Sequence, residues 1–450
     1  MPTTNELFVA HNALGGGSTP ATTNDGLDRF GWNIAAGAFT TATKTLTKVG
    51  TWATYTWTSG DRIGITGGTG VTAGSYAIAS KVDDDSITLT EDIGGANPAD
   101  VTSSTGAWGD ATEDTVGLQH AVDTAATKGD RVNICHDANW TLNATIDFDT
   151  NAGNADGGIV YRGVNSRGLY TGDSTGTAVI DASALGAAVD AFDIGIADWR
   201  CTMMDIRISG DLTDPATTGG GGRRGIRIPS GITNPLGGFI RIRIHHMGDS
   251  GFFSGAGGGQ TLFKDCEFDH NGDDGYEAAA AAQGSAIFYG CSSHHNVDDG
   301  FVLGGDDSWS LMTRTLSYRN GGQGVTTLAG VTNGRYAIEH CTIFANTGDG
   351  LELEQNAGSI LHSSIIKDSG ALGINVPSSN WSRIAEARTN LFDGNGTGDA
   401  GWDTDEVSDD PFSDNVTTDP DFKDETDGTE QLYPNEGSPA IAADVAQKVR

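Results

Sequence analysis

The sequence predicts an all-β protein whose main part is a right-handed parallel β-helix. A six-residue pattern, in which Asn is followed four residues later by Gly and then by an apolar residue, recurs through the second half of the chain. The glycines of successive copies are 25, 24 and 26 residues apart. A fixed period of this length is typical of a solenoid, in which each unit buries its apolar face by stacking on its neighbours. The close copies are residues 271–276, 296–301, 320–325 and 346–351.

Two further observations indicate that the repeat units are strands. From Ile240 to Ile244, isoleucines alternate with arginines, which is the period expected when one face of a strand is buried. Gly, Asn and Asp separate such short apolar runs, as they do in tight turns. Short strands joined by tight turns at this period favour a parallel β-helix over a helical repeat.

Equivalent positions of successive repeats form columns. One column holds Cys266, Cys291, Thr315 and Cys341. Stacked residues of a parallel sheet lie about 4.8 Å apart, and the chain's five cysteines are scattered, so we expect free thiols that pack as small apolar groups. We expect the Asn column to be structural, because Asn tolerates left-handed turns and its amide can hydrogen-bond along the stack.

Composition excludes several classes of function. The 450 residues carry a formal net charge of −34, and this acidity argues against nucleic acid or an anionic membrane as a partner. The same carboxylates are available to hard cations. No apolar run reaches membrane-spanning length. The first residues have neither a basic stretch nor an apolar core, so we expect no cleaved secretion signal and synthesis in the cytoplasm.

The chain divides into four predicted segments. These are a flexible N-terminal arm (1–39), a small all-β attachment module (40–110), the β-helix with an N-terminal capping helix (111–412), and C-terminal closing turns with a tail (413–450). In the module, strand-like runs at 76–82 and 86–90 flank three aspartates, which is a hairpin pattern. The sequence from Gly67 to Lys81 resembles modules that precede β-helices in phage-encoded and environmental bacterial proteins.

A cap is required because an uncovered solenoid end would expose a strand edge and apolar core. Asp114 or Thr115 can begin a short helix, apolar residues follow on one side of it, and Gly129 ends it. This helix, followed by strands, resembles the N-terminal cap of phage tailspikes and pectate-lyase-like proteins. The segments 418–422 and 432–441 resemble the closing turns of parallel β-helix repeat proteins.

The sharpest chemical feature is a group of four acidic residues. Asp249 lies one repeat before Asp273, so stacking places the two carboxylates about one strand spacing apart. Carboxylates this close raise each other's pKa unless a cation neutralises them, and Ca²⁺ requires several converging oxygens. The group resembles the calcium site of the family-nine pectate lyases. Carried over to this chain, that resemblance implies Ca²⁺ ligands at Asp249, Asp273, Asp274 and Glu277.

The resemblance fails at the catalytic base. In that family, a lysine within a Gly-Phe-Lys-Leu-Gly-Gly type sequence removes the proton beside the calcium-bound carboxylate. The corresponding segment here is 300–305, in which Val302 stands at the lysine position and cannot accept a proton. Arginine is the base in some other lyase families, and Arg314, Arg319 and Lys264 are near in sequence, so polysaccharide lyase activity remains an alternative.

Three other groups carry weaker expectations. His246, His270 and His295 form a column that is either a polar face or a transition-metal site. Four aspartates form either a second cation site or a solvated turn: Asp298, Asp299, Asp306 and Asp307. Trp309, Tyr318 and Arg319 are expected either to contact a glycan or, for the aromatic rings, to fill the core.

These observations favour a non-catalytic, virion-associated β-helix protein, such as a phage spike, fibre or capsid-decorating protein. It would attach to other virion proteins through its arm and module, and recognise a cell-surface polysaccharide through its shaft. We expect a homotrimer, because closed symmetry would cover part of the shaft. The alternatives are a calcium-dependent polysaccharide lyase exported without a cleaved signal, and a structural surface protein without a ligand.

Overall fold

The structure is a computed structural model of the whole chain. It describes residues 6–11, 37–47, 62–65, 74–93, 99–101, 106–109, 118–119, 122, 130–136, 139–148, 158–165, 177–186, 188–195, 199–210, 223–232, 236–255, 259–279, 284–304, 309–328, 334–353, 359–376, 384–401, 419–420, 422–425 and 431–434. The chain forms two compact units. The first comprises residues 1–185 and 199–209, and the second comprises residues 186–198 and 210–450.

The first unit combines an antiparallel sheet with short parallel sheets. Its antiparallel strands, in the order β4-β5-β6-β3-β2-β7, are β2 (Gly37–Thr40), β3 (Thr45–Thr47), β4 (Arg62–Ile65), β5 (Gly74–Lys81), β6 (Ser86–Leu89) and β7 (Ala99–Val101). Its parallel strands are β1 (Glu6–His11), β8 (Gly106–Gly109), β9 (Arg131–His136), β10 (Trp140–Thr141), β11 (Ile146–Asp147), β12 (Val160–Asn165), β13 (Ala178–Asp181), β15 (Thr202–Met204) and β16 (Ile206–Ser209). In this unit, β9, β12 and β15 are neighbours, as are β10, β13 and β16.

The second unit is a parallel β-helix with three sheets among the described residues. Sheet A contains β18 (Gly238–Ile240), β21 (Gln260–Lys264), β24 (Ser285–Tyr289), β27 (Trp309–Thr313), β30 (Arg335–Glu339), β33 (Ser359–His362) and β36 (Ile384–Arg388). Sheet B contains β19 (Arg243–His245), β22 (Glu267–Asp269), β25 (Ser292–His294), β28 (Leu316–Tyr318), β31 (Thr342–Phe344), β34 (Ile365–Lys367) and β37 (Leu391–Asp393). Sheet C contains β14 (Phe192–Asp193), β17 (Ile226–Ile228), β20 (Phe252–Ser254), β23 (Tyr276–Ala278), β26 (Phe301–Leu303), β29 (Val325–Thr327), β32 (Leu351–Leu353), β35 (Leu372–Asn375) and β38 (Gly398–Gly401).

Each coil contributes one strand to each sheet, and this confirms the predicted parallel β-helix. Inward-facing residues of sheet A stack in register; the ring centroids of Phe263 and Phe288, for example, are 4.9 Å apart and the rings nearly parallel. The repeat glycines begin sheet C, where a Cβ on Gly275 would lie 2.7 Å from the carbonyl oxygen of Gly300 in the next coil. The close approach of successive coils therefore explains why the pattern requires Gly there.

The predicted columns are confirmed. Each Asn amide donates to the side-chain oxygen of the next Asn, over 3.0 Å from Asn271 to Asn296 and 2.9 Å for each of the following two steps to Asn320 and Asn346. The thiols of Cys266, Cys291 and Cys341 are free and buried. Burial raises the pKa of Cys341 to about 12, so this thiol stays protonated.

One prediction about the first unit is confirmed, and a second falls mostly outside the described residues. The antiparallel pairing of β5 with β6 confirms the hairpin around the three aspartates. Leu118, Gln119 and Val122 have helical backbone, but the other residues from Asp114 to Gly129 lie outside the described part of the chain, so the capping helix remains a prediction. The Gln119 side chain donates to the Asp147 carbonyl and accepts from its N–H, which satisfies backbone groups of β11.

Residues 6–11 differ from the expectation of a flexible arm. They form β1, which pairs in parallel with β8 and β9. The sequence did not predict this strand, because its Leu-Phe-Val run is short and the residues around it show little periodicity. The other arm residues lie outside the described part of the chain. Among the described residues, the structure contains no helix long and apolar enough to cross a membrane.

A C-terminal hairpin, β39 (Phe422–Asp424) and β40 (Gln431–Pro434), packs against sheet B. Phe422 and Leu432 join a buried cluster with Phe344, Ile365 and Leu391. The Lys367 ammonium lies 3.1 Å from a carboxylate oxygen of Asp419 and 2.5 Å from one of Glu425. Most of the segment 413–450 lies outside the described residues, so the expected closing turns remain a prediction.

Candidate metal site

An acidic row lies along the edge at which the strands of sheet C begin. In two successive coils, both residues immediately before the repeat Gly are aspartates. They are Asp273 and Asp274 before Gly275, and Asp298 and Asp299 before Gly300. A further acidic residue, Glu277, lies two positions after Gly275 and within β23. Because successive coils are in register, the row continues along the β-helix axis rather than around it.

The four residues predicted to bind the metal belong to two overlapping groups. One oxygen from each of Asp249, Asp273 and Glu277 can be chosen such that all three lie within 4.8 Å of one another. The same holds for Asp273, Asp274 and Asp298. Asp273 belongs to both groups. The oxygen-only donor set therefore suits a hard cation, and it is centred on Asp273.

Burial and repulsion between neighbouring carboxylates raise the pKa of three of these carboxyl groups. Burial, reinforced by a hydrogen bond shared with Asp249, raises the pKa of Asp273 to about 7. Burial and the neighbouring Asp273 raise the pKa of Asp274 to about 9. Burial also raises the pKa of Glu277, although a hydrogen bond from Ser250 opposes the shift. A bound cation would favour the ionised forms, so the site has the electrostatics of a cation site.

An arginine that the sequence analysis missed closes one side of the site. The Arg224 guanidinium is 3.3 Å from a carboxylate oxygen of Asp249 and 4.0 Å from one of Glu277. It lies over the Phe253 ring at 4.0 Å from the centroid. Arg224 partly neutralises these two carboxylates. The signal was present, because Arg224-Gly225-Ile226 is an earlier and more divergent copy of the repeat.

The proposed second cation site is only partly described. Asp298 is exposed and Asp299 is buried, whereas Asp306 and Asp307 lie outside the described residues. Burial raises the pKa of Asp299 to about 7. Both buried aspartates, Asp274 and Asp299, accept a hydrogen bond from a backbone N–H group. The Asp299 N–H donates to Asp274 Oδ1, and the Gln323 N–H donates to Asp299 Oδ1. Asp298 and Asp299 thus extend the first site by one coil.

Val302 lies beside the acidic group. It is in register with Glu277 on the adjacent strand of sheet C, and its side chain is buried. The next residues in this column are Thr326 and Glu352, which share a 3.4 Å hydrogen bond. The described part of this column between Glu277 and Glu352 therefore contains no amine that could act as a base.

The histidine column is an ordered stack on the corner that follows sheet B. The rings of His246, His270 and His295 are nearly parallel, with centroids 5.1 and 4.9 Å apart. All three residues have left-handed backbone conformations with φ between 53° and 56°. His270 Nδ1 is 2.9 Å from an Asp269 oxygen, and Arg243 donates two 2.8 Å hydrogen bonds to the same carboxylate. Although burial opposes the shift, these bonds hold the Asp269 pKa below its usual range.

A third acidic group, Glu267 and Asp269 with His294, has atoms within metal-binding reach of one another. Arg243 already occupies both Asp269 oxygens, and His294 Nε2 is 3.1 Å from Glu267. This arrangement is a neutralised polar network, whereas the acidic row contains repelling carboxylates.

The predicted glycan-contacting residues lie in different parts of the coil. Trp309 begins a strand of sheet A and is 39% exposed. Tyr318 ends a strand of sheet B and stacks on His294 at 4.5 Å. Arg319 donates a 2.6 Å hydrogen bond to the Glu425 carbonyl of the C-terminal hairpin. Trp309 is thus the most exposed of the three, and the other two are engaged in packing.

No protein-family model and no curated protein sequence matches the chain. Among solved structures, the pectate lyase Pel9A is 17% identical over 68% of this chain and 77% of its own, with a TM-score of 0.45. ORF18 of Geobacillus virus E2 is 11% identical with a TM-score of 0.44, and the alignment spans 67% of this chain but 56% of ORF18. The bacteriophage CBA120 tailspike protein 3 is 13% identical over 62% of this chain and 45% of its own, with a TM-score of 0.37. The chain's own strand order, and not these low identities, shows that it is a parallel β-helix.

Proposed function

We propose that the protein is a virion-associated or extracellular attachment protein whose β-helix binds an acidic surface polysaccharide through Ca²⁺. The observation that carries this proposal is the acidic row centred on Asp273. Its carboxylates converge, and burial together with its acidic neighbours raises the pKa of Asp273 to about 7. The antiparallel module of the first unit would provide the attachment to other virion proteins.

Calcium suits the residues present. It takes six to eight oxygen ligands in flexible geometry, and carboxylates are the usual protein donors. Asp249, Asp273, Asp274 and Glu277 would hold the ion, with Asp298 as a neighbouring ligand. Arg224 would stay against Asp249 and Glu277, so Asp273 and Asp274 would be the principal ligands and the other two would contribute less.

The ion would also determine which glycans bind. A chain with a net charge of −34 repels a polyanion. Ca²⁺ has spare coordination positions after binding three or four protein carboxylates, and a uronate carboxylate can fill them. An acidic polysaccharide would therefore bind with Ca²⁺ and dissociate when the ion is removed.

Binding without turnover is the better-supported version. Elimination across a uronic acid requires a base beside the bound carboxylate, and Val302 occupies the corresponding place in the coil. Arg224 is engaged with two carboxylates and, as a guanidinium, is a weak candidate for proton abstraction. Calcium-dependent lyase activity is the second candidate, favoured by the same acidic group.

One experiment separates these functions. Immobilised uronate polymers and neutral glycans are probed with the protein in Ca²⁺ or chelator, while the ultraviolet absorbance of unsaturated uronides is followed in parallel. We expect Ca²⁺-dependent retention on an acidic polymer and no rise in absorbance. Rising absorbance would establish the lyase instead. Retention that is equally strong in Ca²⁺ and in chelator, or no retention on any polymer, would rule out calcium-mediated attachment.

A further inference from the structure

The outer face of sheet A carries an apolar column where a solvent-facing strand normally presents polar residues. Strand register aligns Leu262, Ile287, Leu311, Ala337 and Ile360 in successive coils. Leu262 is 38% exposed, and the other four are partly exposed. A continuous apolar stripe on an outer face marks an interaction surface.

The columns on either side of this stripe combine large and small side chains. On one side lie Gln260, Ser285, Trp309 and Arg335, and on the other lie Lys264, Tyr289, Thr313 and Glu339. Trp309 and Tyr289 are 39% and 37% exposed and lie on neighbouring strands. The two exposed aromatic rings are therefore at opposite ends of their strands.

The same face is almost free of net charge. Within β21, β24, β27 and β30 the charged residues are Lys264, Arg335 and Glu339. The whole chain carries −34, so two copies repel each other over most of their surfaces. Sheet A would therefore offer a second copy little electrostatic repulsion, and it also offers apolar contact area.

We propose that the outer face of sheet A is a self-association interface that binds a second copy of the chain across a two-fold axis. An axis along the strands would place β24 opposite β27 and β21 opposite β30 of the other copy. Lys264 would then face Glu339, Leu262 would face Ala337, and Trp309 would face Ser285. In these three pairs a charge meets an opposite charge, or a large side chain meets a smaller one.

A two-fold axis along the β-helix is also complementary. It would exchange the two flanking columns, so that Arg335 faces Glu339 of the other copy, Tyr289 faces Ser285 and Trp309 faces Thr313. A surface that matches itself closes under a two-fold axis, whereas the homotrimer expected from the sequence would require two different matching faces. Four strands of five residues cover roughly 20 by 16 Å, which is small for an interface. The association should therefore depend on concentration.

The test is sedimentation velocity of the full chain from the nanomolar to the high-micromolar range. We expect the wild type to shift from monomer to dimer, and Leu311→Glu to remain monomeric with an unchanged melting curve. The matched control is Val297→Glu, which introduces the same charge at a residue 49% exposed on a turn. It should dimerise like the wild type.

Charge reversal then identifies the axis. With the axis along the strands, Lys264→Glu weakens the dimer and Glu339→Lys in the same chain restores it. With the axis along the β-helix, Arg335→Glu weakens the dimer and Glu339→Arg in the same chain restores it. A wild type that is monomeric throughout, or Leu311→Glu associating as strongly as the wild type, overturns the proposal. A monomeric wild type whose glycan retention is lost in Leu311→Glu would assign the face to the glycan instead.

Discussion

Asp273 determines the behaviour of the acidic site, because it belongs to both groups of converging carboxylates. Its neighbours differ in what neutralises them: Arg224 contacts Asp249 and Glu277, whereas a backbone N–H contacts Asp274. The repulsion that a cation would relieve is therefore concentrated at Asp273. A change at this side chain should alter the response to Ca²⁺ more than a change elsewhere in the row.

We predict that Asp273→Asn removes the effect of Ca²⁺ on the melting temperature. In the wild type, an ion present at a hundredfold excess over its dissociation constant should stabilise the fold by about 2.7 kcal/mol. Without the ion, the variant should be at least as stable as the wild type, because the amide keeps the shape of the side chain and removes a repelling charge. Melting curves in Ca²⁺ and in chelator measure both effects.

Asp265→Asn is the control for this prediction. It removes one negative charge from an exposed corner residue between sheets A and B, and Asn accepts its φ of 52°. This variant should respond to Ca²⁺ as the wild type does. If both variants lost the response equally, the effect would arise from net charge and not from a site at Asp273.

The acidic group could be predicted from the sequence, and its surroundings could not. The spacing between Asp249 and Asp273 equals one coil, so the repeat alone placed these carboxylates together. Arg224 was missed because its copy of the pattern lacks the Asn, and a guanidinium's reach depends on side-chain geometry. The exposure of Trp309 and the engagement of Arg319 by the C-terminal hairpin also depend on packing between segments distant in sequence.

At the level of elements, the Asn ladder joins four successive coils on the inside of a corner. Each amide donates to the next side chain, and each side-chain oxygen also accepts a backbone N–H from the preceding coil, as Asn320 does from Asn296. These residues are buried, so no water replaces a lost partner. The ladder therefore couples the stability of neighbouring coils.

We predict that Asn296→Ala destabilises the fold by about 1–3 kcal/mol, because the backbone N–H and the side-chain amide of Asn271 both lose the buried Asn296 oxygen to which they donate. Chemical denaturation followed by circular dichroism gives the change in free energy of unfolding. Thr347→Ala, at an exposed position next to Asn346 in the same ladder, is the control and should change stability by less than about 0.5 kcal/mol. A loss at Asn296 no larger than that at Thr347 would contradict a structural ladder.

Strand positions in the β-helix followed from the repeat, because stacking coils require the same residue pattern in each. The corners between strands were harder to predict from the sequence, because the residues with left-handed backbone conformation there are as different as His270, Arg314 and Ala345. Residues this different in size and polarity share no apolar pattern. In the first unit, β1 could not be recognised, because its partners β8 and β9 lie about a hundred residues later.

At the scale of the whole molecule, the raised pKa values predict how stability depends on pH. The unfolded chain releases the protons of Asp273, Asp274 and Asp299 near pH 4, whereas the folded chain holds them to about 7, 9 and 7. Between these values the folded state binds more protons, so stability falls as pH rises. Asp269 acts oppositely, because its lowered pKa adds stability above about pH 4 that is lost below it.

We therefore predict that, in chelator, the melting temperature falls from about pH 5 to about pH 9, and that Ca²⁺ reduces this fall because it binds the ionised carboxylates. The stabilisation by Ca²⁺ should be small at pH 5 and grow as the pH rises. Melting curves across this range, with and without Ca²⁺, measure the difference. A stabilisation by Ca²⁺ that is equal at all pH values would contradict proton-linked binding at these aspartates.

We propose that Ca²⁺ binds the acidic row at Asp273 and displaces its protons. Isothermal titration of Ca²⁺ at pH 7, repeated in buffers with different heats of ionisation, counts the protons released per ion bound. We expect one strong site per chain, proton release on binding because Asp274 and part of Asp273 are protonated at that pH, and loss of the site in Asp273→Asn. No binding, binding without proton release, or undiminished binding by Asp273→Asn would rule out calcium binding at Asp273.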